Sequence, residues 1–306
     1  MRKALILGVI ASFFFSFTFL LNRQMHTMGG SWQWSASLRY FFMFPLLWFL
    51  LKIKKQTGAV IDEIRHQPFK WLFFSTIGFG FFYVPLCYAS GYSPSWLIAG
   101  TWQITIAAGV MMTPLFVTEN KQSYKFPIKV FLFSIVILFG VLLIQIEEAS
   151  KLSLFHFLAG SLPVLFAAFA YPFGNRKMIL LCAERLNTLQ RIYGMTLCSL
   201  PFFIIISIFG IIGSGLPPQS QVMQSAVVAV FSGVIATLLF FKATDLVSYS
   251  SNKLAIIEAT QSGEVLFTVL GGVFIFQDAA PELLGMIGII FIIIGMLLNC
   301  YFEGRH

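Results

Sequence analysis

Residues 253–278, KLAIIEATQSGEVLFTVLGGVFIFQD, form an apolar stretch that is long enough to cross a bilayer, yet it contains Glu258 and Glu264. At a rise of ~1.5 Å per helical residue, Glu264 lies ~16 Å from Lys253, near the middle of a ~30 Å hydrocarbon core. An ionised group at that depth costs at least ~2.5 kcal/mol, so it is tolerated only when it is paired, protonated or in contact with water. Glu258, only ~8 Å from Lys253, is closer to the membrane surface.

The polar residues of this stretch share one side of the predicted helix. At ~100° per residue, one ~120° arc contains Glu258, Gln261, Glu264 and Thr268. Glycine and alanine residues between them allow a neighbouring helix to approach closely. Two interpretations follow: a permanently paired polar seam between helices, or the wall of a transport cavity.

The composition of the chain indicates a membrane protein. Of its 306 residues, 58% are hydrophobic and 10% are charged, whereas a soluble domain has about 25% charged residues. No long polar stretch exists, so we expect neither a separate soluble domain nor a nucleic-acid partner, despite the net charge of +8. The cysteines form no CxxC pair and lie in separate segments, which argues against a disulfide framework or a zinc site. They are Cys87, Cys182, Cys198 and Cys300.

Ten apolar runs of spanning length predict an all-α integral membrane protein with ten transmembrane helices. The runs are 4–21, 32–51, 69–90, 95–117, 128–146, 153–173, 192–212, 222–241, 254–276 and 282–301. The first run follows Arg2 and Lys3 as a signal peptide would, but no small-residue cleavage site follows it, so we expect it to be retained.

The distribution of basic residues predicts the orientation. With the N-terminus inside, the cytoplasmic segments hold seventeen of the 20 Lys and Arg residues, whereas Arg23 and Lys151 lie outside and Arg39 lies within a span. This asymmetry predicts that both termini are cytoplasmic. Tryptophans at predicted span ends are typical of an aromatic belt. They are Trp32, Trp34, Trp71 and Trp96.

Two connecting segments are longer than the others. Residues 52–68 contain GAVIDEIRHQP, which predicts a short surface helix, and residues 174–191 contain the amphipathic segment MILLCAERL. Both could lie on the membrane surface or form ordinary solvated loops.

The two halves of the chain, 1–151 and 152–306, match at offsets of 152 to 158 positions. The matching pairs are Asn22-Arg23 with Asn175-Arg176, Arg39 with Arg191, Gly140 with Gly295, Trp102-Gln103 with Thr260-Gln261, and Asn120 with Asp278. Because each half has five spans, an odd number, the second half enters the membrane upside down. Inverted repeats of this kind are typical of transporters that alternate access, although a duplicated bundle without transport is also compatible.

Five segments carry a resemblance to a known family. They are GSWQWSASLR (30–39), AGTWQIT (99–105), AAFAYPFGNRKM (167–178), SGVIATLLFFKATDLV (232–247) and EATQSGEVLF (258–267). Over nearly its whole length the chain resembles the drug/metabolite transporter superfamily, EamA-like, and most of all the multidrug resistance efflux transporter family. The resemblance implies two five-helix repeats and small-molecule efflux. The small four-span multidrug exporters that are related to this family carry an essential glutamate in the first span. The first span of this chain has no acidic residue.

Glu264 is the first candidate for a site that exchanges a proton for a substrate. Arg39 is predicted at a depth of ~10 Å from the outer surface and Glu264 at ~14 Å, close enough for an ion pair. The pair could be permanent, or it could form in one access state and act as a gate. If Arg39 pairs elsewhere, it could attract an anionic metabolite.

Four further candidates each have two interpretations. Glu258 either lines the cavity or snorkels to the cytoplasm near Lys253. Gln103 and Gln261, which are related by the repeat, either bind substrate or make a helix contact worth ~1 kcal/mol. Trp102 either stacks on a flat cation or packs against other helices.

Two polar clusters are predicted to have structural roles only. Lys242 and Asp245, three residues apart, are expected to pair at the surface. Asp278, which precedes Pro281 and Glu282, is expected to cap the last helix.

The predicted function is secondary active export of a small molecule across the plasma membrane, coupled to protons or another gradient, without a cofactor. Export of amino-acid, sugar or nucleotide-type metabolites is the alternative within transport. A lipid-acting membrane enzyme and a non-transporting bundle are the alternatives of other classes. Nucleotide-binding, HExxH and GxSxG motifs are absent from the sequence, so we do not expect an enzyme.

Overall fold

The computed structural model describes residues 1–116, 128–151, 153–182 and 185–303. Within these residues every regular element is helical. The α-helices are α1 (Arg2–Thr27), α2 (Trp32–Ile53), α3 (Thr57–His66), α4 (Pro68–Ser75), α5 (Phe81–Ala89), α6 (Ser95–Trp102), α7 (Ile104–Met111), α8 (Ile128–Ala149), α9 (Leu154–Cys182), α10 (Thr188–Ser214), α11 (Gln219–Val228), α12 (Thr237–Asp245), α13 (Ser251–Ala259), α14 (Gly263–Phe274) and α15 (Leu283–Glu303).

Three non-α segments join helices that continue one another. The π-helical segments Thr76–Gly80 and Ala229–Ala236 join α4 to α5 and α11 to α12. A 3-10 turn, Thr260–Ser262, joins α13 to α14.

Seven helical stretches of the described chain are long and apolar enough to cross a membrane, so the protein is a multi-pass membrane protein. They are Arg2–Thr27, Trp32–Ile53, Pro68–Ala89, Leu154–Cys182, Thr188–Ser214, Gln219–Asp245 and Lys253–Phe274. The apolar parts of the remaining predicted runs are shorter: Ser95–Met111, Phe131–Glu147 and Leu283–Leu298. At ~1.5 Å per residue, Ser95–Met111 reaches only ~25 Å. The count of ten spans therefore stays a prediction.

α1 runs alongside α13 and α14 in the same direction. At three glycines a Cβ would collide with the facing helix, which shows how closely the backbones approach. The facing pairs are Gly8 with Thr260, Ser12 with Gly263, and Leu20 with Gly271. Because the residue numbers rise together, the start of α1 lies beside Glu258 and its middle lies beside Glu264.

The main packing partners are helices from different halves of the chain. α1 packs on the segment from α11 to α12 and on α14, whereas α9 packs on the segment from α4 to α5 and on α6 and α7. α2 packs on α10, and α8 packs on α15. Gly78 and Gly174 lie in backbone contact where α9 meets the first π-helical segment.

The segment predicted as a loop over 174–191 is partly helical. α9 continues to Cys182, and Asn175 and Arg176 within it are buried. Polar side chains do not end a helix when tertiary partners satisfy them, and these partners are described below. The short helix predicted in 52–68 is present as α3, with Val60 buried.

Three of the four tryptophans expected in an aromatic belt are buried, and Trp34 among them is 8% exposed. Trp71 is 0% exposed and Trp96 is 1% exposed. The Trp96 indole donates to the Ala279 carbonyl at 2.8 Å, so its polar group is satisfied within the protein.

Asp278 does not cap the last helix, which begins at Leu283. Its Oδ2 accepts hydrogen bonds from the Ser95 backbone N–H at 3.2 Å and from the Ser95 hydroxyl. A carboxylate at this position stabilises the start of α6, because the first backbone N–H groups of a helix lack partners within it. Asp278 therefore joins the segment after α14 to the start of α6.

Candidate functional site

Two helical stretches are interrupted at Gln103 and next to Gln261, the two glutamines that the predicted repeat relates. The N–H of Gln103 bonds to the Gly100 carbonyl, and the N–H of Thr260 bonds to the Ile257 carbonyl, three residues back in each case. Such a tight turn changes the direction of the side chains that follow it. Both interruptions occur beside the aromatic and acidic residues of the candidate site.

A central cavity lies between α1, α5, α6, α9 and the turn into α14. Its lining residues are Phe15, Thr18, Phe19, Phe82, Trp102, Tyr171, Gln261 and Glu264. It has room for about one water molecule. In this conformation the cavity is therefore too small for a drug-sized molecule.

Glu264 is buried in the first turn of α14, with 1% of its surface exposed. Its Oε2 atom has no hydrogen-bond partner among the described residues. An ionised carboxylate without a partner is costly in this environment, so a bound proton or a cationic ligand would relieve the cost. Of the predicted candidates, Glu264, Gln261 and Trp102 share this cavity.

Three aromatic rings form one side of the central cavity. The Trp102 ring lies 5.0 Å from the Phe82 ring and 5.4 Å from the Tyr171 ring, and the Phe82 and Tyr171 rings are 4.7 Å apart. Trp102 is therefore packed, as one of its two interpretations required, and it also faces the space beside Glu264. Aromatic faces attract cations and stack on flat ligands.

Arg39 lies near the central cavity but does not pair with Glu264. Within the described chain, Arg39 has no carboxylate within 4.0 Å. Its Nη1 atom donates to the Thr18 hydroxyl at 3.3 Å, and its guanidinium carbon lies 4.2 Å from the centroid of the Tyr83 ring. The predicted pair with Glu264 is thus absent in this conformation. Thr18, which lines the central cavity, lies between the guanidinium and that space.

Gln103 is fully buried and donates to the Ala99 carbonyl of its own helix at 2.9 Å. This bond is an intrahelical contact, so in this conformation Gln103 does not share the central cavity with Gln261. Its Oε1 atom has no partner within the described residues.

Glu258 does not snorkel towards Lys253. It pairs with Arg176 of α9 at two points, Nε to Oε1 at 3.0 Å and Nη2 to Oε2 at 2.5 Å. Arg176 also donates to the Gly109 carbonyl at 2.7 Å and to the Thr113 hydroxyl at 3.3 Å. Lys253 instead donates to the Tyr249 hydroxyl. A buried ion pair therefore joins α9, α13 and the end of α7.

A second cavity lies beside this ion pair. Its lining residues are Tyr171, Pro172, Asn175, Arg176, Ile179, Arg191, Phe240, Phe241, Thr244, Leu254 and Glu258. Tyr171 lines both cavities, so they lie in series from Glu264 towards the end of the molecule where α1 begins. The second cavity has room for one or two water molecules.

Asp245 pairs with Arg191, whereas we predicted a surface pair with Lys242. Arg191 Nη1 donates to Asp245 Oδ1 at 2.8 Å, and the Thr188 hydroxyl donates to Oδ2 at 2.5 Å. Arg191 has 5% of its side chain exposed, so this contact is buried on the arginine side.

The sequence interpretation missed Tyr171, Arg176 and Arg191 as cavity residues. Both arginines were assigned to the cytoplasmic loop between the sixth and seventh runs. The match of Asn22-Arg23 with Asn175-Arg176 was the available signal, because a paired polar position in both halves suggests a buried role for it.

Comparisons with known proteins find similarity over nearly the whole chain. A model of the family EmrE, described as "Putative multidrug resistance efflux transporter", matches residues 2–305. The uncharacterized protein YjlA of Bacillus subtilis (strain 168) is 47% identical over 306 residues, covering 98% of this chain and 94% of the relative. An uncharacterized 42.1 kDa protein of Shouchella clausii is 45% identical over 266 residues, covering 86% of this chain and 70% of the relative.

One solved structure, described only as "Crystal structure of protein", superposes with a TM-score of 0.68. The match covers 100% of this chain and 99% of the other, at 12% sequence identity. At that identity the likeness concerns the fold alone.

Proposed function

This chain belongs to the EmrE family of multidrug resistance efflux transporters, and from that premise we propose that it is a secondary active exporter of small molecules. It works in the plasma membrane, with both termini cytoplasmic, and it exchanges its substrate for protons or another ion gradient. The substrates that fit the family and the central cavity best are flat or lipophilic cations. Uncharged solutes with an aromatic part are the next best fit.

The observation that carries this proposal is the buried, unpaired carboxyl group of Glu264 beside three aromatic rings. A cation between the rings gains both a counter-charge and the attraction of the ring faces, worth ~2 kcal/mol or more when water is excluded. A proton on Glu264 removes that counter-charge and releases the cation. Proton and substrate then compete for one site, which is the simplest form of coupled exchange.

The proposed architecture has ten spans in two inverted five-helix repeats, residues 1–151 and 152–306. The third and eighth spans each contain a π-helical segment, at Thr76–Gly80 and Ala229–Ala236, and the fourth and ninth spans are each interrupted at Gln103 and Gln261. Helices α8 (Ile128–Ala149) and α15 (Leu283–Glu303) have 22 and 21 residues, enough for ~30 Å at 1.5 Å per residue.

The packing between the halves also supports two exchangeable repeats. α1 of the first half packs on the eighth and ninth spans, and α9 of the second half packs on the third and fourth spans. Each contact of a first-half helix with the second half therefore has an equivalent contact of a second-half helix with the first half. In such a molecule the inward-open and outward-open states have similar energy, which alternating access requires.

The conformation described here is closed towards both ends. The Arg176–Glu258 pair lies towards the end where α1 begins, and the Asp278–Ser95 contact lies at the opposite end. In the proposed cycle these contacts open alternately.

Transport by the purified protein in liposomes tests this function. A panel of lipophilic cations, amino acids, sugars and nucleosides is offered with and without a pH gradient. We expect gradient-driven transport of at least one cation by the wild type and none by Glu264→Gln. Glu63→Gln, which removes a carboxylate from α3, is the matched control and should transport normally. Equal transport by Glu264→Gln and the wild type would contradict the proposal.

Metabolite export is the second candidate function, because Arg191 places a cationic side chain on the wall of the second cavity. That arrangement suits metabolites that carry a carboxylate, such as amino acids.

A further inference from the structure

The second cavity contains two buried polar groups whose hydrogen-bonding atoms lack partners. Arg191 Nε and Nη2 have no acceptor among the described residues, and Asn175 Oδ1 has no donor. Both residues line the cavity. Buried polar atoms in folded proteins are nearly always hydrogen-bonded, so these three atoms are available to a water molecule or to a ligand that enters the cavity.

The vacant atoms of Arg191 are those that hold a carboxylate best. Nε and Nη2 lie on one edge of the guanidinium and donate two parallel hydrogen bonds, whereas Nη1 is occupied by Asp245 at 2.8 Å. Arg176, on the wall of the same cavity, uses this same edge to hold Glu258. The second cavity thus contains one guanidinium edge that is occupied by a carboxylate and one that is vacant.

The unpaired atom of Asn175 needs a hydrogen-bond donor, whereas the unpaired atoms of Arg191 need an acceptor. Its amide Nδ2 donates to the Tyr171 carbonyl at 2.8 Å, and this contact assigns the amide orientation. Oδ1 is then the atom that remains, and it can accept only from an N–H or O–H group.

The charges around the second cavity are already balanced. Arg176 is neutralised by Glu258, and Arg191 is neutralised by Asp245. A ligand with only a negative charge would add an uncompensated charge in a buried space, which is costly. A ligand that brings its own positive charge avoids this cost.

We propose that the second cavity binds small zwitterions that carry a carboxylate, a neighbouring N–H donor and an apolar or aromatic body. The carboxylate binds the Nε/Nη2 edge of Arg191, the amino group donates to Asn175 Oδ1, and the body lies against Phe240, Phe241 and Leu254. This inference deepens the second candidate function, metabolite export, and rests on the proposed export activity, since it names a substrate class for the second cavity. In the present closed conformation the space suits the carboxylate group alone, so the body enters when the aromatic walls separate.

Binding to the purified protein in nanodiscs tests the proposal without transport. The probes are L-phenylalanine, phenethylamine, which lacks the carboxylate, and 3-phenylpropionate, which lacks the amino group. The measurement is the ligand-dependent rise in melting temperature. We expect saturable stabilisation by phenylalanine and at least about 10-fold weaker apparent affinity for each analogue.

Two variants locate the site. Arg191→Lys keeps the charge beside Asp245 but lacks the two-point edge, so phenylalanine affinity should fall at least about 10-fold. Arg185→Lys, at an exposed arginine before α10, is the matched control and should bind like the wild type. If Arg191→Lys does not fold, Leu254→Phe, which fills the cavity without changing a charge, should weaken binding instead.

Equal binding of phenylalanine and phenethylamine, or unchanged phenylalanine binding by Arg191→Lys and Leu254→Phe, would overturn the proposal. A wild-type protein that exports cations under a pH gradient but does not bind phenylalanine would also overturn it, and the exporter function would stand. Conversely, Arg191-dependent binding without any driven transport would contradict the exporter function and leave the binding site established.

Discussion

Arg176 and Glu258 face each other across the α9–α13 interface, with Nε to Oε1 at 3.0 Å and Nη2 to Oε2 at 2.5 Å. The side chains are 6% and 12% exposed. Two buried charges paired in this way stabilise one arrangement of the helices. Removing one of them leaves the other buried without a counter-charge, which lowers the stability of the fold. Glu264, six residues further along, has no such partner within the part of the chain that the structure describes. Replacement of Glu258 and replacement of Glu264 should therefore affect the stability of the protein differently.

Glu258→Gln should lower the free energy of unfolding by ~3–5 kcal/mol, because Arg176 then remains buried without a counter-ion. Thermal unfolding in detergent measures the change. The double variant with Arg176→Gln should recover part of the loss. A single variant as stable as the wild type would mean that water or another acid neutralises Arg176.

Glu264→Gln should leave thermal stability at or above the wild-type value, because it removes an unpaired carboxyl group from a buried site. The amide keeps the size and most of the hydrogen bonding but cannot exchange a proton. Driven transport should be lost in the same preparation. A large drop in melting temperature would instead show that Glu264 has a structural partner, such as Arg39, in another conformation.

Gly174→Ala should destabilise the protein by ~1–3 kcal/mol, since the added Cβ would overlap the Gly78 backbone and rigid main chain cannot move aside cheaply. Gly58→Ala is the matched control, because a Cβ at Gly58 has open space around it. That control should unfold at or slightly above the wild-type temperature. Equal stability of the two variants would show that the helices separate easily at Gly174.

The Glu63–Arg185 contact predicts a pH dependence outside the membrane spans. The hydrogen bond from Arg185 lowers the pKa of Glu63 below its usual 4.5. A lowered carboxyl pKa gives a stabilisation that is present above pH 4.5 and disappears as the pH falls through the pKa of the folded state. Arg185→Gln should therefore melt slightly below the wild type at pH 7, and the two curves should converge as the pH falls through the pKa of Glu63 in the folded state. A constant difference between them would exclude Glu63 as the titrating partner.

The proposed orientation can be tested by labelling intact cells with a membrane-impermeant maleimide. Ala280→Cys lies after α14 and should react from outside, whereas Gly58→Cys in α3 should react only after the cells are opened. Both positions are exposed, so failure to react reports the side of the membrane rather than burial. The reverse labelling pattern would place Ala280 inside the cell and Gly58 outside it, which would contradict the proposed orientation. Both variants are made in a protein that lacks the native cysteines, so that only the introduced cysteine reacts with the maleimide. These are Cys87, Cys182, Cys198 and Cys300.

The all-helical, multi-pass character of the fold could be predicted from sequence because membrane spans obey simple rules of length and polarity. The interruptions beside Gln103 and Gln261 were not predicted, because the surrounding residues include no proline that would end a helix. The partners of the charged residues could not be predicted. Arg176 meets Glu258 across 82 positions and Arg191 meets Asp245 across 54, whereas the local rule suggested Lys242 for Asp245. Contacts between distant helices depend on packing that no local pattern encodes.

The π-helical segments at Thr76–Gly80 and Ala229–Ala236 have a consequence for how this protein can tolerate insertions and deletions. A π turn accommodates one more residue than an α turn, so deleting one residue there would restore a regular helix. The later residues of that span would keep their direction, because the remaining residues still complete the same turn. A deletion from a regular α turn would instead rotate all later residues by ~100° about the axis. In the stretch from α11 to α12, a deletion within α12 before Asp245 would turn Asp245 away from Arg191, whereas a deletion within Ala229–Ala236 would not. Relatives of this fold should therefore tolerate one residue fewer at these two π-helical segments but not in the α-helical parts of the same spans.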